Sequence, residues 1–105
     1  MAYKWPDKDP DELLDYSVDW SRFLGDDTLG AATWFVKQAD GTKNELSDTE
    51  VVDGLQFVEG TISGQVATAR FGLGTNNKRY TITCRITTGE GLQYEREIFL
   101  RIKER

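Results

Sequence analysis

Across residues 79–87 every second residue is apolar. Tyr80, Ile82, Cys84 and Ile86 fall on one side of an extended chain, and Thr81, Thr83, Arg85 and Thr87 on the other. A period of two is the signature of a half-buried β-strand, because successive side chains leave opposite faces of the pleat. A helix would scatter the same residues around its circumference. The pattern recurs. Leu14, Tyr16, Val18 and Trp20 alternate with Asp15, Ser17 and Asp19, and Ala67, Ala69, Phe71 and Leu73 share one side of 65–73. Tyr94, Ile98, Leu100 and Ile102 define a core face over 92–103, with Arg96 the one charge among them.

Turn residues punctuate these runs. Gly25-Asp26-Asp27, Ala39-Asp40-Gly41-Thr42, Glu59-Gly60, Gly74-Thr75-Asn76-Asn77 and Gly89-Glu90-Gly91 each supply residues suited to tight turns. Between them, 32–38 reads as a strand and 21–28 as a loop. Val51, Val52, Leu55, Phe57 and Val58 suggest one or two short strands broken at Asp53-Gly54. Asp11 to Asp15 has the look of a first helical turn, but the continuation Tyr16-Ser17-Val18-Asp19-Trp20 favours strand. About seven antiparallel strands without a convincing helix predict an all-β protein, an Ig-like β-sandwich. A small barrel is the alternative. With 105 residues and no internal repeat, one sandwich domain over 13–105 is expected. Pro6 and Pro10 each remove a backbone donor and bias the preceding residue to extended geometry. Residues 1–12 are therefore expected to form an extended arm outside the core, anchored by Tyr3 and Trp5.

The chemistry available is narrow. The chain has no histidine and one cysteine, so it has no Ser-His-Asp or Cys-His pair and too few soft ligands for zinc. One cysteine also precludes an internal disulfide. The carboxylates fall in the arm and at a loop tip, where they read as solvated charge rather than a facing acid pair. Asp7, Asp9 and Asp11 match the first ligand spacings of a calcium loop, but Glu12 stands where its glycine belongs and Val18 where its closing acid belongs. Phe71-Gly72-Leu73-Gly74 lacks the Lys-Ser/Thr of a phosphate loop. Cys84 reads as a small core hydrophobe, and Arg96 as a charge held by a structural partner. The expectation is a non-enzyme without metal or cofactor.

Net charge is −5, from 13 basic and 18 acidic residues, with no dense Lys/Arg cluster. That disfavours nucleic acid and anionic membranes as partners. No apolar run is long enough to span a bilayer, and 1–10 has no apolar core of a signal peptide. What remains is protein recognition. Trp34-Phe35-Val36 cannot all point inward on one strand, and Phe99 faces out if Ile98 and Leu100 face in. Tyr3, Trp5, Pro6, Pro10, Phe35 and Phe99 are the candidate partner interface, since outward aromatics are enriched at protein contacts. Cover by another part of the same chain is the competing reading.

The run Lys4-Trp5-Pro6-Asp7-Lys8-Asp9-Pro10-Asp11-Glu12, followed by Leu13-Leu14-Asp15-Tyr16-Ser17-Val18-Asp19-Trp20, resembles a family of small tailed-phage structural proteins of the fibre–tail adaptor type. The turn Gly25-Asp26-Asp27-Thr28-Leu29, Thr33-Trp34, the strand Tyr80-Thr81-Ile82-Thr83-Cys84-Arg85-Ile86-Thr87-Thr88 and the closing Tyr94-Glu95-Arg96-Glu97-Ile98 carry the rest of the likeness. The stretch 40–64 carries little of it. The resemblance implies an Ig-like sandwich in the virion, at tail or neck, linking ring subunits there to a fibre protein. It implies many copies in a symmetric ring and no catalysis, and suggests that the Trp5 to Glu12 arm docks on a neighbouring subunit. A capsid decoration protein and a carbohydrate-binding adhesion module are the rival functions.

Overall fold

The computed structural model describes residues 3–38 and 40–104, the side chain of Tyr3 excepted. Nine strands and one helical turn are seen among them: β1 Tyr3–Lys4, β2 Leu14–Asp19, α1 Ser21–Leu24, β3 Leu29–Lys37, β4 Lys43–Glu45, β5 Glu50–Val52, β6 Leu55–Ser63, β7 Val66–Leu73, β8 Arg79–Thr88 and β9 Gln93–Arg101. They form two sheets, ordered β1-β9-β8-β3-β4 and β2-β7-β6-β5. Every pairing is antiparallel except that of β1, which lies parallel to β9 with Tyr3 opposite Ile98 and Lys4 opposite Phe99. The protein is an all-β sandwich. The one helix is a single turn, and none is long and apolar enough to cross a membrane among the described residues.

The inward faces are those the alternation predicts. Tyr80, Ile82, Cys84 and Ile86 of β8 pack against Tyr16, Val18, Ala67, Ala69 and Phe71 from the other sheet, and all are buried. The alanines let the sheets approach where Trp20, Trp34 and Trp5 fill the middle. Burial of this kind contributes roughly 25 cal/mol per Å² of apolar surface.

Several expectations need correction. Residues 21–24 form a turn of α-helix rather than loop: Leu24 is buried, Phe23 lies 5.6 Å from Trp20, and the Asp19 carboxylate accepts the Ser21 N–H at 2.9 Å. Glu59-Gly60 is not a turn. β6 runs through it with a bulge between Phe57 and Glu59, which hides the strand from a period-two reading. Gly60 is there for a different reason: a Cβ at this position would sit 3.0 Å from the Trp34 Nε1. Asp53 and Gly54 both have positive φ, 54° and 87°, and form the tight hairpin turn between β5 and β6. Leu73 leaves the core face and is exposed, because its own φ of 56° ends the pleat. β3 begins at Leu29, earlier than 32, with an irregularity before Ala31. In the turn after β3, Ala39 lies outside the described residues; Gln38 and Thr42 close it by a 2.8 Å backbone hydrogen bond.

Residues 3–8 do not lie outside the core. Trp5 is buried, with its ring stacked on Tyr16 at 4.8 Å and 6.0 Å from both Trp34 and Phe71. Prolines exclude a segment from a sheet interior, but a parallel strand at an edge needs only alternate donors. Here Trp5 and Lys8, on either side of Pro6, donate to the carbonyls of Phe99 and Arg101, the second through an isolated bridge beyond β1.

Candidate interaction surface

The N-terminal segment seals one side of the sandwich. β1 covers part of the free edge of β9, and the Trp5 indole donates to the Ser17 carbonyl on the free edge of β2 at 3.2 Å. The Tyr16 hydroxyl donates back to the Pro6 carbonyl at 3.2 Å. Lys8 then dives into the interior. It is fully buried, and its ammonium donates to the Leu73 carbonyl at 2.6 Å and the Asp9 carbonyl at 2.9 Å. Burial lowers its pKa, opposed by the charges of Glu12, Asp9 and Asp11. Asp9 accepts the Asp11 N–H at 2.8 Å, and Glu12 accepts the Asp9 N–H at 2.8 Å. With Pro10 at its second position, Asp9-Pro10-Asp11-Glu12 is a tight turn. The acidic run is therefore turn chemistry.

The expected interface residues part company. Trp5 belongs to the core. Pro6 is exposed and Pro10 half-buried, and nothing is described of the Tyr3 side chain. Phe35 and Phe99 do face outward from the five-stranded sheet, yet neither ring stands bare. The Arg85 guanidinium lies 4.6 Å from the Phe35 ring and that of Arg79 lies 4.4 Å from Phe99. Arg85 also pairs with Glu95, which holds that carboxyl below its usual range, and Lys43 adds to the effect. Phe35 is thereby 7% exposed, whereas Phe99 stays half-buried. Arginine over an aromatic face is a favourable contact within one chain, so the cover comes from this sheet itself.

Arg96 occupies the inward face as expected, with its guanidinium 5.0 Å from the Trp20 ring and 4.9 Å from Phe23. It lines a cleft of about 340 Å³ with Lys4, Trp5, Asp19 and Arg22. The Asp19 carboxyl is held low first by the Ser21 backbone N–H and weakly by Arg22 and Arg96. Cys84 is fully buried, and desolvation pushes its thiol up to about 12, against smaller opposing contributions from the Trp20 indole and Arg96. A thiol so placed is not a nucleophile at neutral pH.

The opposite side of the sandwich is open. β4 pairs with β3 only over Phe35, Val36 and Lys37, and β5 pairs with β6 only over Leu55, Gln56 and Phe57. One hydrogen bond extends each edge, Leu46 N–H to the Trp34 carbonyl at 2.8 Å and Thr49 N–H to the Val58 carbonyl at 3.1 Å. Beyond them, 59–63 of β6 is exposed at every residue, and Gly30 and Ala31 of β3 are exposed too. The Gln65 side chain donates to the Gly25 and Asp27 carbonyls, which ties the β6–β7 turn to the loop before β3. Both uncovered stretches thus run from the Trp34–Gly60 contact toward the same end. The Trp34 indole N–H at this seam has no acceptor among the described residues.

Over residues 8–101 the sequence matches the family described as podophage GP4 fiber-tail adaptor protein gp77. The chain belongs to this family. As a fibre–tail adaptor it is a structural protein of the phage tail. The match runs from the buried Lys8 to the last residue of β9, so it takes in both sheets, whereas Trp5 and Pro6 fall before it. No curated protein matches the adaptor sequence. Sequence reasoning missed Lys8 because a lysine ordinarily signals surface. It also missed the Tyr80 hydroxyl, which donates to the Asp53 carbonyl at 2.8 Å and accepts the Thr75 N–H at 3.0 Å. For Tyr80 a signal existed, since a tyrosine with an inward body at the start of a strand places its hydroxyl at the rim, where it needs partners.

Proposed function

We propose that the protein is a non-enzymatic, Ig-like adaptor that fastens a fibre to the tail or neck of a podophage, as one of several copies in a ring. Membership of the fibre–tail adaptor family over 8–101 is the observation that carries this reading. The strand order supports the Ig-like part. β9-β8-β3 lie in the order G-F-C, and β2-β7-β6 in the order B-E-D, of an immunoglobulin sandwich. Trp34 takes the place of the buried tryptophan on strand C, opposite Cys84 on strand F. Tyr80, at the start of strand F with its hydroxyl bound to backbone, resembles the tyrosine corner of such domains.

Within this reading the sealed side presents Pro6, Pro10 and the Tyr3 strand to one neighbour, and the outer sheet face with Phe99, and Phe35 beneath Arg85, is the second candidate contact. The test is genetic and visual. Phage lacking the gene are expected to yield tails without fibres, with fibres restored by the supplied protein and extra density at the tail–fibre junction in electron micrographs. Normal fibre attachment without the protein would sink the proposal.

A further inference from the structure

We infer that the uncovered edge of β6, residues 59–63, is a strand-addition site for an extended segment of another virion protein, apolar on its inward side and basic or uncharged on its outward side. This deepens the adaptor reading and rests on it for the partner's source.

The edge is built to pair. Ser63 and Val66 flank the two-residue turn Gly64-Gln65 and lie opposite one another, so they exchange hydrogen bonds within the hairpin. Alternation then turns the N–H and C=O of Ile62 and Gly60 away from β7, toward the open side. Val58 has the same parity, and its carbonyl already accepts the Thr49 N–H at 3.1 Å. That bond is what a partner strand would continue. Natural edges are usually blunted by lysine, proline or a covering segment. The opposite side of this sandwich has such cover, whereas Gly60-Thr61-Ile62-Ser63 has no charge and no proline.

The side chains define the occupant. Gly60 and Ile62 lie opposite Ala69 and Ala67 and so face inward, Gly60 beside the Trp34 indole, whose N–H has no acceptor among the described residues. Ile62 is nonetheless 40% exposed. An apolar side chain on the incoming strand would cover it. On the outward face Glu59 and Asp15 share one cation, Arg70, at 3.6 Å and 2.7 Å. The excess carboxylate favours a basic residue on the partner and disfavours a second copy carrying the same acids. Area argues the same way. Pairing along about 17 Å of strand buries roughly a few hundred Å², well under the ~1,200 Å² of stable complexes between folded chains. Main-chain pairing with pockets for alternate side chains suits an extended segment, and attachment elsewhere on the particle raises its effective concentration.

The test uses the full chain. Ile62→Pro removes one outward N–H, and Val51→Lys is the control on β5, the strand that covers the first part of β6. Ile62→Pro is expected to stay folded and monomeric but to incorporate into tails at least about tenfold less than wild type, with Val51→Lys unchanged. Amide exchange at Gly60 and Ile62 should be fast in the isolated protein and slowed at least about tenfold in purified tails. Normal incorporation of Ile62→Pro, or unprotected Gly60 and Ile62 amides in tails, would overturn the inference. So would protection that grows with concentration of the isolated protein, which would make a second copy the occupant. Absence of the wild-type chain from purified tails would instead overturn the adaptor reading beneath it.

Discussion

The two flanks of this sandwich are finished in opposite ways. On the β1–β2 flank, Trp5, Tyr16 and Lys8 close the gap between the sheets with stacked rings and a buried ammonium. On the β3–β6 flank the sheets end in Gly30, Ala31, Gly60, Thr61 and Ser63, all exposed. The residues filling the first flank are large and buried; those just named at the second are small and exposed. A shared architecture therefore does not fix what an edge is for. The side chains decide whether it is used up inside the fold or left for another chain.

The sharpest way to break this contrast is Trp5→Ala. It removes a buried ring in contact with Tyr16, Trp34 and Phe71, and should cost about 3–5 kcal/mol out of a total of roughly 5–15 kcal/mol. Urea unfolding would read it; a loss under about 1 kcal/mol would mean that the N-terminal segment is decoration. Lys8→Met comes next. The stem is kept, but the carbonyls of Leu73 and Asp9 lose their donor, at about 1–3 kcal/mol. Amide exchange should report it as faster opening at Lys103, whose N–H binds the Lys8 carbonyl.

Gly60→Ala probes the seam of the open flank. Its Cβ would press on Trp34 at 3.0 Å. Overpacking of about 1–3 kcal/mol, offset by roughly 0.4–1 kcal/mol from a stiffer unfolded chain, leaves a net loss near ~1 kcal/mol. A shifted Trp34 indole N–H resonance and a Tm lowered by about 4–8 °C are expected. The smallest effect belongs to Ile62→Thr, within about 0.5 kcal/mol by thermal melting. A loss comparable to that of Trp5→Ala would erase the asymmetry between the flanks.

What could be read in advance follows the same division. The faces of β2, β8 and β9 were legible because each strand buries one side, and that alone produces a period of two. β6 was obscure because its second half buries neither side and a bulge shifts its register after Phe57. The helical turn at Ser21–Leu24 is too short to show a period. In the N-terminal segment two prolines argued for exclusion and a lysine for solvent, and both arguments were locally sound. Tertiary contacts overrode them: edge pairing needs few donors, and two carbonyls plus nearby acids compensate the buried ammonium. Among the candidate contacts, the outward direction of Phe35 was readable, but its cover by Arg85 was not, since cross-strand neighbours depend on register.

The parallel pairing of β1 with β9 has a consequence for synthesis. Tyr3 and Lys8 leave the ribosome early and find their partners, Ile98 and Ile102, only when nearly the whole domain has emerged. Until then the Trp5 indole has no finished slot, and the nascent chain carries an unclosed sandwich. Closing so long a loop is entropically late, so the flank sealed by β1 and Trp5 is the last part of the sandwich to be completed.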